Sequence, residues 1–455
     1  MSDSNRSTTP ASDTFRDFIT SGWAMPQRPE PVVRDVAPYA AARRAALSAM
    51  HPGERIVIAA GAPKVRSNDT DYPYRADTAF AYLTGWGSDT VPGAVLVFEP
   101  VADGHEATLY FREGAGRDTD EFYANSAIGE FWTGPRPSLA EVGASLDIAT
   151  ARIEEFERRR GDLELEHPRL GQELSELRLV KDDWEIAELR RAVAATELGF
   201  DDIIRELDRA AEHPRGERIV EGAFHARARL EGNDVGYGTI AASGAHACIL
   251  HWTDNDGAVA PGDLILVDAG VEVDSYYTAD ITRTLPVNGA FTDVQRRVYE
   301  AVRKAADEAF AIVRPGITFR DVHDTALRSI AVTLDEWGVL PMPLEQALEP
   351  QNQPHRRYMV HGTSHHLGID VHDCAQARRE MYLDGEVRSG MVFTIEPGLY
   401  FQPDDLTVPE ELRGIGVRIE DDILVTGQGA ENLSIGIPRT ADEVEDWMRR
   451  VRATR

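Results

Sequence analysis

The order of apolar and polar positions divides the chain into helical and strand-like stretches. DVAPYAAARRAALSAM, 35 to 50, carries helical spacing and stops at His51-Pro52-Gly53. ERIVIAA (54 to 60), AVLVF (94 to 98) and ATLYF (107 to 111) read as strands. Residues 64 to 86 are polar, aromatic and turn-rich, and 113 to 138 are irregular, with Tyr123 and Trp132 among them. A helix is expected over about 151 to 160. Strands between helices predict a small α/β domain. A boundary is expected near 161 to 181, and a long helix follows it. Asp182 with Glu185 makes a capping-box-like start, and Ile186, Leu189, Val193, Phe200, Ile203 and Leu207 fall on one stripe. That stripe reads as core packing. A second helix, 217 to 231, ends at Gly232, and 238 to 251, 264 to 271 and 280 to 287 are strand-like. Residues 292 to 313 form a helix between an N-cap, Thr292, and the stop Pro315-Gly316. Another helix is expected over 318 to 337, and a short one over 439 to 452. The order helix-helix, strands, helix-helix, strands hints at two similar halves, without any tandem repeat.

Composition narrows the class. At 455 residues the chain holds two domains with sizeable cores, and 42% hydrophobic residues is ordinary for a globular protein. The Ser/Thr/Asp-rich start predicts a disordered or extended segment over 1 to 30, then a domain over 31 to 175 and a larger one over 176 to 455. A net charge of −29 argues against nucleic acid and against an anionic membrane surface, and favours attraction of cations. No run of 18 apolar residues predicts a membrane span, and the N-terminus lacks the apolar core of a secretory signal. Two cysteines alone, Cys248 and Cys374, fit a reducing cytoplasm. Cys374 lies two residues past His372 but reads as a free thiol.

The chemistry centres on LILVDAGVEVDSYYTADITRTL, 264 to 285. An apolar run delivers Asp268, and Asp280 opens a Thr-rich strand. Buried carboxylates are costly unless paired, hydrogen-bonded or bound to metal; by themselves these two also fit a turn aspartate and a salt-bridged one. Three further clusters add to them. HGTSHHLGIDVHD (361 to 373) holds His361, His365, His366 and His372. In MVFTIEPGLY (391 to 400) alternation places Thr394 and Glu396 on one strand face. In GIGVRIEDDILV (414 to 425) Arg418 and Glu420 share a face, which alone also fits a simple Arg-Glu pair. Together the clusters offer four carboxylates (Asp268, Asp280, Glu396, Glu420) and one imidazole, His365. Four negative charges balance two divalent cations, and an oxygen-rich set with one imidazole suits Mn²⁺ and admits Co²⁺, Fe²⁺ or Zn²⁺. Two such ions about 3.5 Å apart can share a water and lower its pKa.

These clusters resemble aminopeptidase P, the Xaa-Pro aminopeptidase family of pita-bread-fold metallopeptidases. ILHWTDN, VDAG…ADITRTLPVNG, HGTSHHLGIDVHD, TIEPGLY and GVRIEDD are similar to its signature segments, in the expected order, and RSNDTDYPYRADTAFAYLTG is similar to a signature of its N-terminal domain. The resemblance covers most of residues 40 to 435 and implies an α/β (α+β) chain, a small N-terminal domain before a creatinase- and methionine aminopeptidase-like catalytic domain. It also implies roles. Asp268 would chelate one metal, Asp280 and Glu420 would bridge both, and His365 and Glu396 would bind the other. Glu396 would take the proton of the attacking water, a metal-bridging hydroxide being the nucleophile. His251, His361 and His372 would hydrogen-bond the scissile carbonyl and its oxyanion, and Arg418 would hold the carboxylates in place. His366 has no implied role and reads as structural.

One departure bears on the second metal. Asp268 and Asp280 are twelve apart, one more than the family spacing. A one-residue slip inside a strand would turn Asp280 to the other face, so the extra residue is expected in the turn around Asp274 to Tyr277 or in a bulge there; otherwise Asp274 is the nearby substitute. The implied activity is release of the N-terminal residue from peptides with proline second. An Xaa-Pro bond lacks the N–H that other peptidases grip. The implied assembly is a homodimer or homotetramer, with Trp132 or Tyr123 of a neighbour lining the cleft. The nearest alternative is prolidase, acting on Xaa-Pro dipeptides. A metal-independent, creatinase-like or binding-only relative is less consistent with five charged or metal-binding side chains kept together.

Overall fold

The computed structural model describes residues 9–10, 12–24, 30–68 and 70–454. The chain forms two compact units, one up to Leu170 and one from Gly171; helix Pro168–Leu177 runs across that point.

The first unit is built on a five-stranded sheet. Its order is Ala149–Arg152, Gly104–Phe111, Val95–Val101, Ile56–Ala59, Leu163–Glu164. The three central strands pair antiparallel and the two edge strands join in parallel. Leu47 from helix Ala37–Met50 is buried, as are Ile56, Ile58, Leu96, Phe98, Leu109 and Phe111 of the sheet. Three local expectations are corrected here. The stretch 151 to 160 is not a helix: Ala149–Arg152 pairs with 108–111, and only a 3₁₀ turn, Ile153–Glu155, follows. The helix of that region is Leu139–Leu146, set by the Ser138–Glu141 capping box. Within the turn-rich 64 to 86, Asp77 caps a buried helix, Thr78–Thr84, which Gly85 ends in the left-handed conformation. The segment 1 to 30 holds helix Asp13–Thr20, capped by Ser12, whose Phe15 packs edge-on against Tyr123. The rest of that segment's expected disorder falls largely outside the described residues.

In the second unit, helices Asp183–Ala211 and Gly216–Glu231 pack on each other, as do Asp293–Ala311 and Phe319–Glu336. The expected capping box of Asp182 with Glu185 is formed, and so is one of Thr292 with Gln295. Each pair precedes an antiparallel sheet. The first runs Ile281–Pro286, Leu264–Ala269, Ile240–Ser243, and the second Val392–Ile395, Asp421–Val425, Ala430–Asn432. A short ladder, Gly398–Tyr400 with Gly416–Arg418, continues the register of the second sheet. The strand expected over 238 to 251 is shorter: Gly244, at φ 56°, ends it, and a 3₁₀ turn and loop carry the chain on. No described helix is long and apolar enough to cross a membrane.

Candidate metal centre

Register brings the acids together. Asp268 pairs with Thr282 across the first sheet, so both side chains share a face, and Asp280, two residues earlier, shares it too. Between Asp268 and Asp280 the chain turns at Val273–Tyr277, where Tyr276 adopts φ 71° and the Tyr276 and Val273 amides donate to Val273 and Tyr277 carbonyls. Asp280 reaches the cleft, where the Tyr237 hydroxyl contacts it at 2.5 Å and Asp268 at 2.7 Å. Asp274 is exposed in the turn. In the second sheet Thr394 pairs with Asp422, and Gly398 with Arg418. The same register sets Glu396 opposite Glu420, and like charges so placed repel.

One cleft of about 560 Å³ is lined by Asp268, Asp280, Glu396, Glu420, Arg418 and four histidines, His251, His361, His365 and His372. His365 Nε2 stands 3.1 Å from Asp280, 3.6 Å from Glu396 and 3.9 Å from Glu420. The ligating atoms of Asp280, His365 and Glu420 lie within 4.8 Å of one another. His365 Nδ1 lies 3.1 Å from the His366 carbonyl, to which it can only donate. A neutral ring then turns its Nε2 lone pair on carboxylate oxygens, an arrangement that needs a shared proton or a cation between them. Burial pushes the Glu396 carboxyl up to about 7, against the pull of His365. Burial and then Asp280 raise Glu420 far above the carboxylate range, and burial and Asp268 raise Asp280. For His365 burial works the other way, but Asp280 and Glu396 outweigh it and lift the ring to about 9. Oxygen-rich donors, one imidazole nitrogen and a deficit of positive charge fit divalent cations.

The surroundings are ordered. Arg418 donates to Asp268, to Thr282 Oγ1 at 3.0 Å and to the Tyr400 hydroxyl at 3.2 Å. Thr282 donates to Glu420 at 2.6 Å. His361 meets the Tyr400 hydroxyl at 2.8 Å and lies 3.5 Å from Glu396; burial and then Arg418 push its pKa down to about 3. His372 packs edge-on against His365, while His251 stands exposed at the cleft. His366 is buried instead, stacked on Phe319. Cys374 is a buried free thiol with Sγ 4.0 Å from Lys181 Nζ. Sequence reasoning assigned nothing to Tyr237, Thr282 or Tyr400. The last two sat inside ITRTL and PGLY, but Tyr237 has no acid or histidine beside it in the chain to mark it.

The profile of metallopeptidase family M24 matches residues 187–427, and that of the aminopeptidase P N-terminal domain matches residues 39–164. Xaa-Pro aminopeptidase 2 of Streptomyces coelicolor is 52% identical over 95% of this chain and 95% of its own length. Xaa-Pro aminopeptidase 1 of that organism is 50% identical over 96% of this chain and 92% of its own. Among solved structures, a substrate complex of an Escherichia coli aminopeptidase P variant matches with a TM-score of 0.78 at 29% identity, covering 93% of this chain and 100% of that one.

Proposed function

The chain belongs to metallopeptidase family M24, and from that membership we propose that it is a metalloaminopeptidase releasing the N-terminal residue from peptides with proline second. The observation that carries this reading is identity at half of all positions, through both domains, to proteins named Xaa-Pro aminopeptidases. It favours an aminopeptidase over a prolidase.

Asp268, Asp280, His365, Glu396 and Glu420 would hold two divalent ions. Asp280, His365 and Glu420, whose ligand atoms lie within 4.8 Å of one another, would form the core of that set, with Asp268 and Glu396 completing it. Those ions would supply Lewis acidity and lower the pKa of a water. Glu396, whose carboxylate lines the cleft beside His365, would accept the proton of the attacking water. Arg418 fixes Asp268 directly and Glu420 through Thr282, so both carboxylates are pre-oriented. His251, His361 and His372 hydrogen-bond the scissile carbonyl and the charge that develops on it. The acidic cleft favours the free amino terminus of the substrate. Manganese is the proposed metal, with cobalt, zinc or iron as substitutes. We place the chain in the cytoplasm, consistent with two unpaired buried cysteines. A homodimer or homotetramer is the proposed assembly. Of its two aromatic candidates, Trp132 is 61% exposed whereas Tyr123 is buried, which favours Trp132 for reaching a neighbour.

The test compares Mn²⁺-loaded protein on an Xaa-Pro-Yaa tripeptide and on the matching Xaa-Pro dipeptide. Tripeptide cleavage with little dipeptide cleavage is expected. The reverse would make it a prolidase, and activity on neither, with metal bound, would overturn the substrate assignment.

A further inference from the structure

His251 reaches the cleft from an irregular loop, and that loop closes around one buried carboxylate. Glu217, in the first turn of helix Gly216–Glu231, is fully buried. Its Oε1 accepts the Ser243 amide at 2.8 Å and faces His246 Nδ1 at 2.8 Å. Its Oε2 accepts the Trp252 indole N–H at 2.8 Å and the Gly257 amide at 2.7 Å. The donors come from both ends and the middle of the loop, and Trp252 directly follows His251. His246 stacks on Trp252 at 3.8 Å. Gly257 leaves the clamp its room: a Cβ there would lie 2.6 Å from His246 Cε1 and 2.8 Å from Glu217 Oε2 and would displace one of them. The Asn255 amide adds bonds to Ala241 N and Thr239 O, and Arg218 donates to the Asp254 carbonyl at 2.9 Å. Leu250 and Thr253, on either side of His251, line the cleft with it.

We propose that Glu217 is a positioning residue: it touches no substrate, but its four-donor clamp holds the 244–257 loop so that His251 meets the scissile carbonyl. This rests on the peptidase reading above and on the role proposed there for His251. A loop of this length with little regular structure would otherwise sample many positions, and misplacing a catalytic group by about 1 Å costs about 10²-fold in rate.

The experiment uses the metal-loaded full chain with Glu217→Gln, Trp252→Phe, His251→Ala, and each of the first two combined with His251→Ala. Glu217→Gln turns one acceptor oxygen into an NH₂ facing two donors; Trp252→Phe removes a single donor and is the milder change should the first fail to fold. For Glu217→Gln, kcat on an Xaa-Pro-Yaa tripeptide should fall about 10- to 100-fold with KM and metal content little changed. Trp252→Phe should fall between it and the unaltered chain. In the His251→Ala background either change should cost no more than about 2-fold further. Amide hydrogen exchange over 244–257 should quicken in both variants and stay unchanged in the N-terminal unit. A loss of kcat that persists in full without His251, or faster loop exchange with unaltered kcat, would make Glu217 structural only. An unaltered chain inactive on tripeptides would fail the peptidase reading instead, and the exchange measurement would still judge the clamp; unchanged exchange in both variants overturns it.

Discussion

Two of the buried charge sets in the second unit are balanced in opposite ways. Asp373, directly after His372, receives Arg178 Nε at 3.0 Å, Lys181 Nζ at 2.8 Å and the Cys374 amide at 2.9 Å. Burial alone would raise its pKa, but Lys181 and then Arg178 hold it far below the carboxylate range. The cleft set inverts the count. Asp268, Asp280, Glu396 and Glu420 meet one permanent cation among the described residues, Arg418, and burial drives Glu396 and Glu420 upward. The chain thus neutralises one set from within and leaves the other short of positive charge. A closed set holds structure together; a set short of charge is a place for cations from outside.

The comparison can be broken most sharply by neutralising one acid in each set. Glu396→Gln should leave the fold intact and lower turnover at least about 10³-fold. Steady-state kinetics beside thermal unfolding checks this, and near-normal turnover would remove Glu396 from its role. Asp373→Asn should do the reverse, since it strands Lys181 and Arg178 in the interior. Urea unfolding should register a loss of about 3–5 kcal/mol, and a loss below about 1 kcal/mol would mean that solvent reaches the pair.

Asp280→Asn sharpens the comparison inside the cleft. Elemental analysis of the purified variant should find fewer than the two ions proposed, and two ions at full occupancy would transfer its role to another ligand. The smallest effect is in pH. Metal-free, Glu396, Glu420 and Asp280 have folded pKa values above their ordinary ones. The stability they contribute is present below about pH 4 and is lost as pH rises through the folded values, about 7 for Glu396. His365, raised to about 9, acts in the same direction. Metal-free protein should therefore melt a few degrees lower at about pH 8 than at about pH 5, and metal should remove that slope. Asp373 has the opposite sign. Its depressed pKa gives stability present above about pH 4 and lost only as pH falls through the lower folded value. A metal-free melting curve flat across this range would show that the cleft acids repel one another less than their placement demands.

Much of the second unit was legible because its signals are local. The Asp182–Glu185 box, the Thr292 cap and the stripe from Ile186 to Leu207 need only contacts one or two turns away. Where local signals were weak the reading failed. The helix after Asp77 lay hidden among turn residues, and 151 to 160 turned out to be a strand edge and a 3₁₀ turn. Its parallel partner, Gly104–Phe111, lies some forty residues earlier, beyond the reach of any periodicity.

The acids and the histidine of the cleft were named from the chain itself, because carboxylates behind apolar strand residues are chemically conspicuous. The sequence determined the side-chain types, the strand segments that the acids lie in or flank, and the overall negative charge. It left open whether the long Asp268–Asp280 spacing turns Asp280 away, and the folded chain places Asp280 in the cleft beside Tyr237. Nor could it reveal that Tyr237 joins two aspartates or that Glu217 gathers a loop, since neither residue lies near its partners in sequence. Whether a buried carboxylate is closed off, as at Asp373, or left short of positive charge, as at Glu420, depends on what packs against it. That neighbour comes from strand register and helix packing, which only the folded chain brings within hydrogen-bonding distance.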